Sequence, residues 1–515
     1  MLQTITTVLV LIFISRVIYE RWRDRGLPPG PRRLPFLGNL LQAPTEMQWL
    51  IFHKWSKKYG PLMSVQFGGD TVILISDGNI ARDLLDKRGS IYSDRPRLVM
   101  AGENLTKGMH MLLRRYNERY VLHQRMEAPV LRPRAAPTYL PLQDMESKQM
   151  LYDFLSSEDF CKHFERYAAS FIYAVAYGFR VETGNEQVLK DAHRVQDNVA
   201  YAGRVGIWIV DALPFLNHLP MALAPWKRTA EEFFELERDM HLKNMKAGLE
   251  SKAWNWTKDF SNSKEAQLMT PLEVAYDLGI LADAGLDTTA MLMQIVVLAC
   301  LSQPAWIKRA QKELDDVVGP DRLPRIEDKQ NLPIINGVIE ESLRWRAILP
   351  NGAPHATLQE DYYMGYRIPK GATVVPLAWS IHLDERDFED PMVFRPERWI
   401  SHPDARHVSF GYGRRVCTGR HIARNSLFLL ISRLLWAFDI KHAVDGNGKR
   451  KEVDDMAFTT GFASKPLPFE AVFDVRSARA REVVEKEWRE VPKDIDVIMN
   501  GIRAQQASIG LEPRA

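Results

Sequence analysis

Cys417 stands in Phe410-Gly411-Tyr412-Gly413-Arg414-Arg415-Val416-Cys417-Thr418-Gly419, among glycines, beside two arginines and just ahead of an apolar run. A thiolate persists where cations and the N–H groups of a helix start favour the anion. Gly413 and Gly419 allow tight turns and close approach of a flat ligand to the backbone. The stretch from Arg420 to Trp436 reads as a buried helix beginning just after the cysteine. An arbitrary buried cysteine behaves as a small hydrophobe. This one has the surroundings of a metal-ligating thiolate.

Upstream, Thr270-Pro271-Leu272-Glu273 combines a threonine cap, proline at the first helical position and glutamate at the third. The pattern predicts a helix from there to Ser302, just before Gln303-Pro304. Midway, Ala284-Gly285-Leu286-Asp287-Thr288-Thr289 places polar groups inside an otherwise apolar element. Such threonines can simply back-bond to carbonyls one turn earlier and bend the helix. Ala284 and Gly285 also leave room for a flat macrocycle and dioxygen, and Asp287 with Thr288 forms an acid–alcohol pair suited to proton delivery. Further on, Glu341-Ser342-Leu343-Arg344 sets opposite charges at i, i+3 on one helical face, a weak pairing by itself.

Phe410-x-x-Gly413-x-Arg415-x-Cys417-x-Gly419 is similar, at every fixed position, to the haem-binding signature of the cytochrome P450 family. The resemblance covers about Pro28 to Phe473. It implies haem b held by Cys417 as the axial ligand of iron, with Phe410, Gly413 and Gly419 shaping the loop. Thiolate ligation of this kind favours O–O cleavage. The segment around Asp287 and Thr288 resembles the oxygen-activating helix, which makes those two the expected catalytic pair and Ala284 and Gly285 the expected cofactor-facing residues. Phe394-Arg395-Pro396-Glu397-Arg398-Trp399 resembles the segment whose arginine joins Glu-x-x-Arg. Glu341, Arg344 and Arg398 are therefore the expected structural triad behind the cysteine loop. Arg415, and His355 in Pro354-His355-Ala356, match positions that hold the haem propionates. The third contact departs from the family. Where Trp-x-x-x-Arg belongs, this chain has Arg119-Tyr120-Val121-Leu122-His123-Gln124-Arg125, with Tyr120 for tryptophan and Gln124 for arginine. Tyr120 can donate a hydrogen bond, and Gln124 and Arg125 are alternatives for the remaining contact.

The elements that must position these residues follow from the rest of the 515-residue chain. Its 46% hydrophobic content supports a sizeable core, and a net charge of +3 gives no case for nucleic acid. Cys161, Cys300 and Cys417 are too few for a disulfide framework and point to a reducing compartment. Leu2 to Tyr19 is mostly apolar and about 18 residues long, enough to reach across a bilayer core. Arginines follow it and no basic side chain precedes it, so the positive-inside rule leaves the body cytosolic. On that side the sequons Asn104-Leu105-Thr106 and Asn255-Trp256-Thr257 are chance matches. Leu27-Pro28-Pro29-Gly30-Pro31 then reads as a stiff linker.

The expected organisation is a transmembrane anchor over residues 1–20, a basic, proline-rich hinge over 21–39, a haem-thiolate domain over 40–475 and a polar extension over 476–515. A helix is predicted over Glu46–Lys58 and a hairpin around Gly68-Gly69-Asp70. Mainly helical pattern runs from about Asn79 to Ala347, and short strands return at Tyr362–Ile368 and Thr373–Pro376. The fold class is mainly α with small peripheral β-sheets, in a single large domain. By pattern alone, two α-rich domains joined near Ser261–Glu265 is the alternative.

The resemblance implies an O2-dependent monooxygenase of the endoplasmic reticulum membrane, taking electrons from NADPH through a flavoprotein reductase. The basic stretch Arg114, Arg115, Arg119 and Arg125 is the expected docking face for that acidic partner. Segments expected to line the substrate pocket are Leu98–Leu105, Val205–Leu216, Ile280–Ala284, Ala347–Pro350 and Thr459–Phe462. They are mostly apolar, which favours a hydrophobic small molecule. In style the chain resembles fungal members that tailor polyketides, terpenoids or alkaloids. The rival readings are a haem-thiolate isomerase or dehydratase that does not use O2, and a non-catalytic haem sensor. The intact Asp287-Thr288 pair argues against the first, since members of that kind lose it.

Overall fold

Apolar periodicity becomes a set of long helices arranged about one of them. The computed structural model describes every residue except 1, 36, 43–45, 205–206, 512–513 and 515. The helices that bear on the site are α1 (Leu2–Arg23), α2 (Gln48–Tyr59), α3 (Glu118–Leu131), α4 (Leu140–Phe154), α5 (Phe160–Tyr177) and α6 (Gln187–Ala202). They continue with α7 (Pro225–Glu250), α8 (Pro271–Ser302), α9 (Pro333–Trp345), α10 (Arg420–Ala437), α11 (Ala478–Glu490) and α12 (Ile495–Ser508). The central one is α8, with the bounds its capping signals predict. The Thr270 hydroxyl accepts from the Glu273 N–H at 3.3 Å, and the Glu273 carboxylate accepts from the Thr270 N–H at 3.0 Å.

Among the described residues, α8 is the helix long and apolar enough to cross a membrane, yet 67% of its most apolar window is buried inside the protein. It is the core helix. Its apolar side chains join α5, α9 and α10 in one cluster and α3, α5 and α7 in another. Gly285 serves this packing. A Cβ there would lie 2.7 Å from Ile172 Cγ1 on α5, so the glycine lets α5 and α8 approach closely and does not open space for a cofactor. That corrects the expectation for Gly285.

The small sheets lie at the periphery. β1 (Leu62–Phe67) and β2 (Asp70–Ile75) form the predicted hairpin, with Leu62 opposite Ile75. β3 (His355–Ala356), β4 (Asp361–Tyr363), β5 (Tyr366–Ile368) and β6 (Thr373–Pro376) follow. The larger sheet runs β1-β2-β6-β3, with β2 parallel to β6 and β3 antiparallel to it. β7 (Phe438–His442) pairs with β8 (Ala471–Val475).

Segments near both chain ends pack against the body. The proline-rich hinge does not hang free: Ser64 N–H donates to the Pro29 carbonyl at 2.8 Å, and Pro28 and Pro31 are buried. The segment after 475 is a folded strap. Charged residues dominate its composition, but α11 buries Val483 and Val484, and α12 buries Ile498, Met499 and Ile502. Arg514 donates to the Asp259 carboxylate at 2.7 Å and to the Met126 carbonyl of α3 at 2.7 Å. Of the two sequons, Asn255 is fully buried and caps a short helix at Trp256.

Candidate active site

The cysteine loop closes on itself before α10 begins. Cys417 N–H donates to the Phe410 carbonyl at 2.8 Å. Gly413 has φ +52°, and a Cβ there would run into the Leu85 carbonyl, so only glycine fits this bend. A Cβ at Gly419 would meet nothing, leaving that side of the loop open. Cys417 is exposed by surface area although protein fills most of the volume around it. Burial therefore pushes its thiol up, and the N–H groups of Gly419 and Arg420 at the helix start oppose the rise. Those N–H groups and the Arg420 cation act toward the anion, as the sequence suggests, against the larger effect of burial.

Helix α9 holds this loop through two adjacent carboxylates that do different jobs. Glu341 accepts from Arg344 at 2.7 and 2.9 Å, from Arg398 at 3.1 Å, from the Trp399 indole at 2.9 Å and from the Arg395 N–H at 2.9 Å. The triad thus forms as expected, with Glu341 and Arg344 wholly buried. Burial acts to raise the Glu341 carboxyl, but Arg344 and then Arg398 hold it below the usual range. Glu340 was missed by sequence reasoning. It accepts from His407, before the loop, at 2.9 Å and from Arg424, after the loop, at 3.1 Å. Burial opposes the shift, yet His407 and Arg424 bring Glu340 down to about 2. The only sequence signal was its place beside Glu341.

On α8, Ala284 and Thr288 are exposed although the helix runs through the core. They lie one turn apart on one face. The Thr288 hydroxyl donates to the Ala284 carbonyl at 3.0 Å, the back-bonded arrangement. Asp287 projects from the adjoining face. Burial raises its carboxyl, His193 on α6 and Lys465 pull it down, and Asp197 on α6 pushes it up. One turn earlier, burial pushes Asp283 up to about 7.

Cationic and donor groups converge beside the cysteine loop. Arg415 donates to the carbonyls of Ser93 at 2.9 Å and Arg114 at 2.7 Å, with its guanidinium over the Tyr120 ring. Tyr120 hydroxyl and the Gln124 amide donate to the Arg414 carbonyl at 3.3 and 3.5 Å, so the substituted pair supports the loop from α3. Arg125 is not among them: five residues past Tyr120 on a helix, it falls on the solvent side and is exposed. His355 is 2% exposed, and its Nδ1–H donates to the Tyr92 carbonyl at 2.7 Å. Burial, then Arg95, lowers His355 to about 3, so the ring is neutral. Arg95 is the second residue sequence reasoning missed. It is 5% exposed, donates to the Leu112 carbonyl at 2.9 Å and to the Pro354 carbonyl, and is brought down to about 9 by burial and by Arg415. Its only trace in sequence is an arginine before Pro96 in a loop.

Of the predicted basic face, Arg115 and Arg125 are exposed and Arg119 is half-buried. Arg114 is buried against His123, Arg115 pairs with Asp94, and Arg119 pairs with Glu273 at 2.9 Å. Of the pocket segments, Val205 and Gly206 lie outside the described residues. The others include a link between two chain regions: Asp211 accepts from the N–H groups of Val99 at 2.7 Å and Met100 at 2.9 Å.

This geometry has counterparts among known proteins. Residues 28–473 match the family model described as Cytochrome P450. The chain belongs to the cytochrome P450 family. Among relatives of this cytochrome P450, the monooxygenase aneD of Aspergillus aculeatus is 39% identical over 507 residues, covering 97% of each chain. FrzL of a Cladobotryum species, also a cytochrome P450 monooxygenase, is 39% identical over 490 residues, 95% of each chain. The echilunin cytochrome P450 monooxygenase of Aspergillus ruber is 38% identical over 514 residues, 98% of this chain and 95% of the relative. Cytochrome P450 monooxygenases work with haem b, electrons from a reductase, O2 and a small-molecule substrate, and this chain is one of them. The match to aneD covers 97% of the chain and so takes in most of the strap, which lies beyond the end of the family model at residue 473.

Proposed function

We propose that this chain inserts one oxygen atom of O2 into a hydrophobic small molecule, as a tailoring step in fungal secondary metabolism. The observation that carries it is the exposure of Cys417, held in a glycine-bent loop, together with that of Ala284 and Thr288, one turn apart on an otherwise largely buried core helix. The residues present suit haem b: Cys417 offers the axial ligand, Arg95, Arg415 and His355 supply charge and donors for its propionates, and Gly419 leaves its side of the loop open. When bound, haem with a thiolate ligand activates O2 for transfer of one atom to the substrate.

The chain's own residues then orient, hold and exclude. Phe410 and Gly413 fix the bend that presents Cys417, and Glu340 pins both flanks of that bend. The Thr288 hydroxyl, by donating to the Ala284 carbonyl, keeps its lone pairs turned toward the open face. There it can hold a water, with Asp287 one residue away as the proton source. Val99–Leu105 and the 209–216 region, joined by Asp211, close over substrate and exclude water. The intact Asp287-Thr288 pair favours oxygenation over isomerisation or sensing.

In this reading residues 1–20 anchor the chain in the endoplasmic reticulum membrane, residues 21–39 strap it to the body, and 40–475 form the cytosolic haem domain. Exposed Ile209, Leu213, Phe215, Met221 and Leu223 support contact of this region with the bilayer and entry of substrate from lipid. The reductase docks on the face bearing exposed Arg125 and Arg414 and half-buried Arg420, with charge reversal at Arg125 and Arg414 slowing electron transfer in a salt-dependent way. The decisive experiment combines two readouts. The reduced CO complex should have a red-shifted Soret band that Cys417→Ala abolishes, and product formed with reductase should carry label from isotopic O2. A band that survives the substitution sinks the ligand assignment. Unlabelled product from an enzyme with the band favours the isomerase reading.

A further inference from the structure

Between the core helix and the helix that grips the cysteine loop lies a carboxylate that the oxygen chemistry does not use. Asp277 is wholly buried on α8, about two turns before Ala284. Its Oδ2 lies 2.6 Å from His123 Nδ1 on α3, and its Oδ1 is buried without a partner within the protein. Among the described residues, His123 is thus the one group hydrogen-bonded to this carboxylate. A buried carboxylate with a single partner is a costly way to join two helices that apolar side chains could join.

His123 is itself wholly buried, and its Nε2 lies 2.9 Å from a terminal nitrogen of Arg114. Arg114 can only donate, so Nε2 accepts and Nδ1–H donates to Asp277. Glu273 Oε1, 3.8 Å from Nε2, is taken by Arg119 at 2.9 Å. The ring is therefore neutral with its tautomer fixed, in keeping with its descent to about 3 through burial and then Arg114.

Arg114 carries the connection out of the two helices. It is 8% exposed and stands before α3 in an irregular segment, where no helical ladder holds its peptide groups. Its N–H donates to the His110 carbonyl at 2.9 Å, and its carbonyl accepts from Arg415 at 2.7 Å. Arg415 also donates to the carbonyls of Ser93 at 2.9 Å and Met111 at 3.5 Å, and lies over the Tyr120 ring. Asp94 holds the residues after Arg114, accepting from the Tyr116 N–H at 2.7 Å and from Arg115 at 2.9 Å. His123 holds Arg114 itself, from the core side. Three hydrogen bonds, passing through the side chain and backbone of Arg114, thus link the core helix to the arginine beside the thiolate loop.

We propose that His123 is a positioning residue for the cofactor site: tied to α8 by Asp277, it fixes Arg114, whose carbonyl aims Arg415 at a haem propionate. It takes on part of the task left open where Gln124 stands in place of arginine. The inference rests on the reading that Arg415 meets a propionate, and adds that its aim is set from the core helix.

The test is a double-mutant cycle on the rate of haem loss from the haem-loaded full chain to an excess of haem-free globin. Arg415→Gln should speed haem loss on the order of tenfold or more, the weight of a charge-assisted hydrogen bond. His123→Phe, which keeps a ring and removes both bonds, should speed it several-fold. The double variant should lose haem no faster than Arg415→Gln alone, and effects that multiply overturn the proposal. His123→Gln, which offers an acceptor to Arg114 and a donor to Asp277, should return most of the loss. A rate as fast as that of His123→Phe also overturns the proposal. A second readout is independent of stability: the resonance Raman propionate-bending band of the ferric protein reports the hydrogen bonds a propionate receives. It should shift in His123→Phe as in Arg415→Gln, and an unshifted band overturns the proposal. If His123→Phe does not fold, His123→Asn replaces it in both measurements, because its shorter amide cannot span both partners. A wild-type protein lacking the thiolate CO band fails the functional reading, whereas one with that band and multiplying effects fails this inference alone.

Discussion

The guanidinium carbon of Arg415 lies 3.7 Å from the centre of the Tyr120 ring. Through this contact a helix that lacks the family's tryptophan and arginine still grips the cysteine loop. The ring supplies the cation–π surface, and the hydroxyl holds the neighbouring Arg414 carbonyl. Tyr120→Leu should lose both, costing about 1–2 kcal/mol, whereas Tyr120→Phe keeps the stacking and should cost less than half of that. Denaturant unfolding and the rate of haem loss measure the difference. Equal losses in the two variants would remove the stacking from the account.

The adjacent carboxylates Glu340 and Glu341 should fail differently. Glu341→Gln leaves Arg344 and Arg398 buried and under-compensated, a loss on the order of 3–5 kcal/mol and poor expression of holoprotein. Glu340→Gln unties His407 and Arg424 but leaves the triad intact. Its signature should be faster conversion of the CO complex to the inactive form with a smaller change in unfolding free energy. A Glu340→Gln protein as unstable as Glu341→Gln contradicts this separation.

Acid stability should be lost in two stages. His355 and His123 are each held neutral, at about 3, by burial and then by neighbouring arginines. Their folded values lie below the ordinary one near 6.5. The stability they contribute is therefore present above that pH and declines as pH falls, by about 1.4 kcal/mol per pH unit per histidine. Glu341, whose folded value is depressed, contributes stability above its ordinary range, near 4.5, that disappears as pH falls through the folded value. Denaturation of haem-free protein followed from pH 7 downward should thus begin to weaken near pH 6.5. Stability that stays flat down to pH 5 would show that these histidines protonate freely.

Asp211 is expected to govern closure over the substrate. Its carboxylate receives two backbone N–H groups from the turn at Val99–Leu105. Asp211→Ala strands those donors and should weaken substrate binding about tenfold, at a cost of about 1–2 kcal/mol, while the CO spectrum stays normal. Asp211→Asn, which retains an acceptor oxygen, should recover most of it. The substrate-induced spin shift measures both.

The parts legible in sequence were those whose signals are local. The capping box at Thr270 and the punctuation around Gly68 and Gly419 depend on neighbours within a few residues, and these elements formed where they were read. Glu-x-x-Arg was legible only with its distant arginine. Arg95, Glu340 and the His123–Asp277 contact were not legible, because each owes its role to a partner tens to hundreds of residues away. Burial changed the meaning of residues read correctly by type. The arginines before Arg125 are basic in sequence but paired or buried in space, and Gly285 is small for the sake of α5. The strap was misread as polar because its apolar residues are few and lie on one face of each helix.

That strap sets a practical boundary. Shortening the gene at residue 475, where the family match suggests a clean domain end, would bare the faces of α4 and α5 that α11 and α12 cover. It would also release Met126 and Asp259 from Arg514. Purification handles belong elsewhere for the same reason, and a chimaera with another family member should exchange core and strap together.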